Sequence, residues 1–254
     1  MTPKTTLISA AVLLQALTLA GAARADGTRP FAFSAMVGAG YAPIYEGSDN
    51  SEAFPLLDFN VSFGDGRFFA GTRGIGYAPV LTDNLSVRMG VAYGGGRKMK
   101  DDPANLAGLG DVDDQALGLL SAEYMMGQIG IGADILAGAD YGVTADFKVF
   151  STVALSDRIS LGGDIGATYA DTSHMQQYFG VTAAQSAASG LAEYGAGSGI
   201  KSGGIGVTFS YACTEATSVM LGARHDRLMG GAADSSISRD AAQTSAFVGL
   251  STNF

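Results

Sequence analysis

The chain has a single cysteine, Cys213, in 254 residues, so no intrachain disulfide can form and a multi-cysteine metal site is excluded. Basic residues are scarce: 15 Lys plus Arg stand against 24 Asp plus Glu, a balance that makes nucleic acid an unsuitable partner. Beyond the first 25 residues no uninterrupted apolar run reaches the length that a membrane helix needs, about 18 residues or more. The fold therefore closes without covalent staples, and if it meets a membrane it does so without helices.

The N-terminus is a separate matter. Lys4 precedes "LISAAVLLQALTLA" (7–20), and Ala23 and Ala25 give the small-x-small pattern of a signal peptidase site before Asp26. Residues 1–25 read as a cleaved secretory signal and residues 26–254 as the mature protein. The apolar run is too short to span a bilayer, and no cysteine near the cut offers a lipid attachment point. Loss of Lys4 and Arg24 leaves 13 Lys plus Arg against 24 Asp plus Glu, a net charge of −11.

What the chain does have is hydrophobicity, at 47% of residues, together with 37 glycines, too many for helices. The apolar residues alternate. In "QIGIGADILAGAD" (128–140) one parity reads Ile129, Ile131, Ala133, Ile135, Ala137, Ala139, and only Leu136 breaks the polar and glycine set on the other. Residues 142–155, 158–170, 84–94 and 31–41 repeat the pattern, with tyrosines near the segment ends. Segments of this length, with one apolar face and interfacial tyrosines, are the signature of an all-β, antiparallel, up-and-down transmembrane β-barrel in an outer membrane.

The connections agree. "LTDNLSV", "LSDRISL" and "CTEATSV" are similar Ser/Thr-plus-acid turns, with Asp83, Asp157 and Glu215 as their acids, and another short turn sits at Gly127. Between them lie longer loops at 95–113, 171–199 and 229–241, with a short one at 139–142. Short turns on the periplasmic side and longer loops outside are the barrel arrangement. Counting gives twelve strands if residues 66–80 fold back at "GTRG", and ten if residues 31–41 stay outside the wall. Twelve is favoured because 31–41 alternates so cleanly.

The chain ends "TSAFVGLSTNF", with Phe254 on the parity of Leu250, Val248 and Ala246. An aromatic end on an apolar parity implies a closing strand whose last side chain faces something apolar. Resemblance to outer-membrane proteins implies that such a residue is read by the barrel assembly machinery.

The inward parity carries Arg88, Glu123, Asp134, Asp146, Lys148, Asp164 and Arg224. A mixed-sign set in a lumen reads first as a salt-bridged, hydrated filling, and second as a narrow polar pore or ligand pocket; no single-sign ring of the kind an ion filter uses is present. Enzymatic activity is not expected. Barrel lipases and deacylases resemble one another in a His-x-Ser pair and barrel proteases in Asp-x-His, and neither His174 nor His225 has such a neighbour. "GAG" and "GIG" lack the Lys-Ser/Thr and helix of a phosphate loop and read as strand glycines that permit tight coiling, so no cofactor is expected. "VTAAQSAAS", ending at Gly190, breaks the alternation and reads as a short helix or ordered plug, or as an ordered loop packed on the rim.

Four segments, "GAGYAPIYEGSD" (38–49), "GRFFAGTRGIG" (66–76), "YFGVTAAQSAASGLAEY" (178–194) and "RLMGGAADSS" (227–236), together with Phe254, resemble the MipA/OmpV family of outer-membrane proteins. The chain departs from that family in lacking Trp and in carrying Ser236 where the family pattern has Pro. The resemblance implies a scaffold that links a lytic transglycosylase to a penicillin-binding murein synthase at the cell outer membrane of a Gram-negative envelope; other members act as adhesins or in antibiotic response. The partners it implies are outer-membrane lipid, the two murein enzymes and the assembly machinery. A small-solute channel or an adhesin-type barrel is the alternative function.

Overall fold

The computed structural model of the protein describes residues 31–254; the expected signal segment lies outside the described residues. Twelve strands, β1 (Phe31–Pro43), β2 (Ser51–Phe63), β3 (Phe68–Gly71), β4 (Gly74–Leu81), β5 (Leu85–Gly94), β6 (Gln115–Met126), β7 (Ile129–Gly138), β8 (Gly142–Ala154), β9 (Ile159–Ala170), β10 (Gly199–Ala212), β11 (Thr217–Leu228) and β12 (Ala242–Asn253), form one closed barrel in sequence order. Its seam pairs β1 with β12 antiparallel, from Ser34↔Asn253 to Tyr41↔Ala246. Closure is what allows a sheet to sit in hydrocarbon, because it leaves no row of unpaired peptide groups along an edge.

Both doubtful segments belong to the wall. β1 is a full strand, and residues 66–80 do fold back at Thr72–Arg73, where Gly71 pairs with Gly74. The resulting hairpin is short, with four residues in β3 and eight in β4, so it fills only part of the height of the wall beside β2.

The alternation of the sequence maps onto the two faces of the wall. Ile131, Ile135, Phe147, Val149, Val153, Leu161 and Ile165 are all substantially exposed on the outside. A water-soluble protein does not display so continuous an apolar surface; a lipid-solvated one must.

The five connections at one end are tight. In three of them the hydroxyl after the strand accepts from a backbone N–H across the turn: Thr82 from Leu85 at 2.9 Å, Ser156 from Ile159 at 3.2 Å and Thr214 from Thr217 at 3.0 Å. This local bond is the physical reason for the shared Ser/Thr, and it leaves the adjoining acids Asp83, Asp157 and Glu215 exposed at the tips. In the fourth turn Gly127 takes φ +66, which a side chain would resist. Phe254 lies at the same end. It points outward, 65% exposed, stacks on Phe33 at 5.3 Å between ring centroids, and donates its N–H to the Phe33 carbonyl at 2.9 Å.

Candidate functional site: the bridged lumen and its cap

The predicted lumen charges fall into separate groups. Lys148 on β8 reaches Glu123 on β6 at 3.0 Å and Asp134 on β7 at 3.7 Å. Arg224 on β11 pairs with Asp164 on β9 and with Asp226, two residues along its own strand, at 2.8 Å. Asp146 accepts from Thr168 on β9. Arg88 joins neither cluster directly; its guanidinium lies over the Phe69 ring, 6.0 Å from the centroid, and the side chain keeps contact with lumen solvent.

Both ion-pair clusters span an intervening strand, and a glycine lies beneath each span. Gly132 on β7 stands in register with Glu123 and Lys148, and Gly206 on β10 with Asp164 and Arg224. A β-carbon at Gly132 would run into the Lys148 side chain, and one at Gly206 into Asp164 and Arg224. These glycines, expected to serve only coiling of the strands, are the floor that lets a charged side chain cross. Aromatic fillers use the same device: Phe150 lies over Gly130, Phe247 over Gly222 and Phe54 over Gly40.

Next to the Arg224 cluster the lumen also holds an apolar filling. Met36, Ala42, Leu56, Met220 and Phe247, with Phe54 against them, form one buried cluster on the inner face of β11, β12, β1 and β2. This explains why Phe247 breaks the polar parity of the last strand.

The other end of the barrel is covered by four loops, 44–50, 95–114, 171–198 and 229–241, which carry short helices: α1 (Pro103–Leu106), α2 (Thr172–Phe179), α3 (Ala183–Ser189) and α4 (Gly230–Ala233). The segment read as helix or plug is α3, opened by a capping box between Thr182 and Gln185 and ended by left-handed Gly190. The loops share two small cores of their own. Tyr45, Leu106, Leu109, Val181 and Ile237 come one or two from each loop; Met175, Phe179, Ala196 and Ala232 pack on Ala170 and Leu228 at the strand ends. Polar bonds lock them: Arg97 donates to the Tyr178 carbonyl at 2.7 Å, Ser235 to the Phe179 carbonyl at 2.5 Å and the Tyr45 hydroxyl to the Ile237 carbonyl at 3.2 Å. Burial pushes the Tyr45 phenol up to about 12 and draws the Arg97 guanidinium below its ordinary value. The assembly is a cap over the mouth, held together by bonds from loop to loop.

Beneath the cap, His174 is 2% exposed, stacked against Tyr178 and edge-on to Tyr141, with Nδ1 3.0 Å from the Tyr141 carbonyl oxygen. Burial first, and Lys201 nearby second, lower its pKa to about 2, so the ring is neutral. Lys201 is itself held by Glu46 at 2.9 Å. His225 lies on the outer parity, exposed, with Nδ1 2.8 Å from the Thr244 hydroxyl. Among the described residues no group of three or more His, Cys, Asp and Glu is placed to hold a metal ion.

Sequence reasoning missed Asp226, Lys201, Glu46 and Arg97. Asp226 was readable, being two residues from Arg224 and so on its face of the strand. The Lys201–Glu46 pair joins residues 155 apart through loop folding that no local pattern encodes.

The sequence model of the family described as MltA-interacting protein MipA matches residues 36–254, from within β1 to the last residue. The chain belongs to the MipA family. A comparison with curated proteins finds no sequence match. Among solved structures the fold is similar to the NanC porin (12% identity, 86% of this chain and 98% of that one, TM-score 0.42) and to OprB of Pseudomonas putida (10%, 79% and 59%, TM-score 0.41). It is also similar to OmpT of Vibrio cholerae (10%, 88% and 96%, TM-score 0.37). The chain thus spans 59% of the OprB chain and nearly all of NanC. It is a closed twelve-stranded β-barrel of the outer-membrane type.

Proposed function

We propose that this MipA family barrel is a structural scaffold of the outer membrane that holds a murein-remodelling enzyme, a lytic transglycosylase of the kind the family description names, at its periplasmic end. The observation that carries the reading is the asymmetry of the two ends. The loop end is closed by a cap with its own packed cores and locking bonds, whereas the turn end presents rigid, hydroxyl-braced tips with Asp83, Asp157 and Glu215 exposed. A closed mouth suits a protein that anchors better than one that conducts, and fixed acidic tips suit a basic patch on a partner. In this reading Phe254, exposed at the turn end and stacked on Phe33, is the residue that the assembly machinery reads during insertion. A penicillin-binding synthase is the second partner of this reading.

Planar-bilayer recording separates the scaffold from the channel alternative. The intact barrel is expected to be silent, and deletion of residues 181–190, which removes the whole of α3 from the cap, is expected to raise conductance. A stable channel from the intact protein, abolished by bulky inward substitutions, would overturn the scaffold reading.

A further inference from the structure

The inward face changes character along the barrel. Towards the cap it is filled: Ala92, Leu117, Met36, Met220 and Phe247 are each 9% exposed or less. Beside these residues and nearer the turns the wall carries hydroxyls and amides instead. Ser34, two residues from Met36, stands between Asn60 of β2 and Asn253 of β12. Ser251 pairs with Met36 and with Ser218, and Ser210 pairs with Met220 and with Ser160. Residues directly opposite on neighbouring strands share a face, so all of these point into the lumen with the two methionines.

This hydroxyl wall borders open space. Asn60 and Asn253 are exposed, and Ser34, Ser160, Ser210, Ser218 and Ser251 are half-buried. Arg88 on β5 and Arg73 at the β3–β4 tip are exposed as well, although the charged neighbours of Arg73 are the inward-facing Asp58, Asp134, Glu123 and Arg88. Exposure of side chains that face inward means solvent within the barrel. The lumen is therefore a cup, plugged beneath the cap and open at the turns. A barrel of about eight strands is filled by its side chains or holds one small ligand, and one of about sixteen leaves a channel; twelve strands lined with serine leave room between these limits.

The groups around the cup select for an uncharged, bond-rich occupant. Arg73, Arg88 and Lys148 stand against Asp58, Glu123 and Asp134, so the charges cancel and neither an anion nor a cation is favoured. Ser and Asn side chains each donate and accept, and the buried Ser86 Oγ on the same wall has no hydrogen-bond partner. Arg88 adds donors that no carboxylate engages directly. Apolar surface comes from Phe69 and Phe150, both half-buried. Hydroxyls with a few aromatic rings among them match a sugar ring, which has polar edges and C–H faces.

We propose that the cup is a carbohydrate site: a neutral glycan chain enters the lumen at the turn end, exchanges hydrogen bonds with the Ser and Asn wall and with Arg88, and packs against Phe69 and Phe150. The cap closes the other mouth, so the occupant comes from the periplasmic side. Asp83, Asp157 and Glu215, on which the scaffold reading rests, lie on turn tips outside the cup, so the two readings stand or fall separately.

Calorimetric titration of the purified barrel with a soluble tetramer of N-acetylglucosamine tests this, in an amine-oxide detergent because a sugar head group would compete. Ser160→Val with Ser210→Val removes two neighbouring hydroxyls; Ser160→Thr with Ser210→Thr keeps them at the same added volume. Loss of two such bonds should weaken binding roughly 10- to 30-fold in the Val pair, while the Thr pair binds like the unaltered barrel. Asn60→Leu, on another strand, should also weaken binding and answers the question should the Val pair fail to become heat-modifiable. Purified murein sacculi form a second arm. Co-sedimentation of the unaltered barrel but not of the Val pair assigns the site to a wall chain; calorimetric binding without co-sedimentation assigns it to free oligosaccharide. The barrel with Asp83, Asp157 and Glu215 changed to Ala should bind the tetramer normally. No binding heat from the unaltered barrel at either of two temperatures, or equal affinity in the Val and Thr pairs, would overturn the proposal.

Discussion

Arg224 on β11 and Asp164 on β9 are joined across the strand that separates them, with Gly206 of β10 beneath the bridge. The side chains are 4% and 5% exposed, so this is a buried pair that tolerates neither the loss of one partner nor intrusion from below.

Gly206→Ala should therefore destabilise the barrel by about 1–3 kcal/mol through overpacking, and Arg224→Met by about 3–5 kcal/mol through the orphaned carboxylates. Gly163→Ala is the control, since a β-carbon there would meet nothing closer than the Gly206 carbonyl oxygen at 3.7 Å. Denaturant unfolding of the reconstituted barrel, followed by heat-modifiability, checks the order: the unaltered protein and Gly163→Ala together, then Gly206→Ala, then Arg224→Met.

The cap should loosen in acid. His174 is neutral in the closed cap because its pKa falls from 6.5 to about 2. An undocked helix would bind the proton, so docking strength is constant above about pH 6.5 and declines as pH falls from there towards 2. By pH 5 the loss is about 2 kcal/mol. Hydrogen exchange of residues 172–179, corrected for the intrinsic rate, should show more opening at pH 5 than at pH 7, and His174→Phe should flatten the slope. Equal protection at both pH values in the unaltered protein would contradict the assignment.

Assembly is expected to depend on Phe254. Removing Phe254 takes away an outward ring that stacks on Phe33 and closes the β1–β12 seam. The outer membrane should then hold far less heat-modifiable protein, with a protease-sensitive form left in the periplasm. Undiminished assembly would reject the insertion role.

The wall of this barrel was legible because alternation with period two survives in nearly every strand: Ile129 to Ala139, Val143 to Leu155 and Ile159 to Tyr169 each mark an outer face. Even the short hairpin was signalled by Gly71 and Gly74. The lumen was half legible. Parity identified which charges point inward, but pairing depends on register, so the bridges over Gly132 and Gly206 could not be seen before the strands were aligned. The cap was least legible. Leu106, Val181 and Ile237 come from separate loops and pack together only once the strands have set the loop ends in place.

The most direct test of the scaffold reading is retention on a column. The purified, reconstituted barrel is immobilised and a lytic transglycosylase of the same envelope is passed over it, alongside a barrel with Asp83, Asp157 and Glu215 all changed to Ala. The unaltered barrel should retain the enzyme, less strongly at high salt, and the triple variant, still heat-modifiable, should release it. Equal retention by both barrels, or none by either, would contradict a periplasmic contact surface built on these three turns.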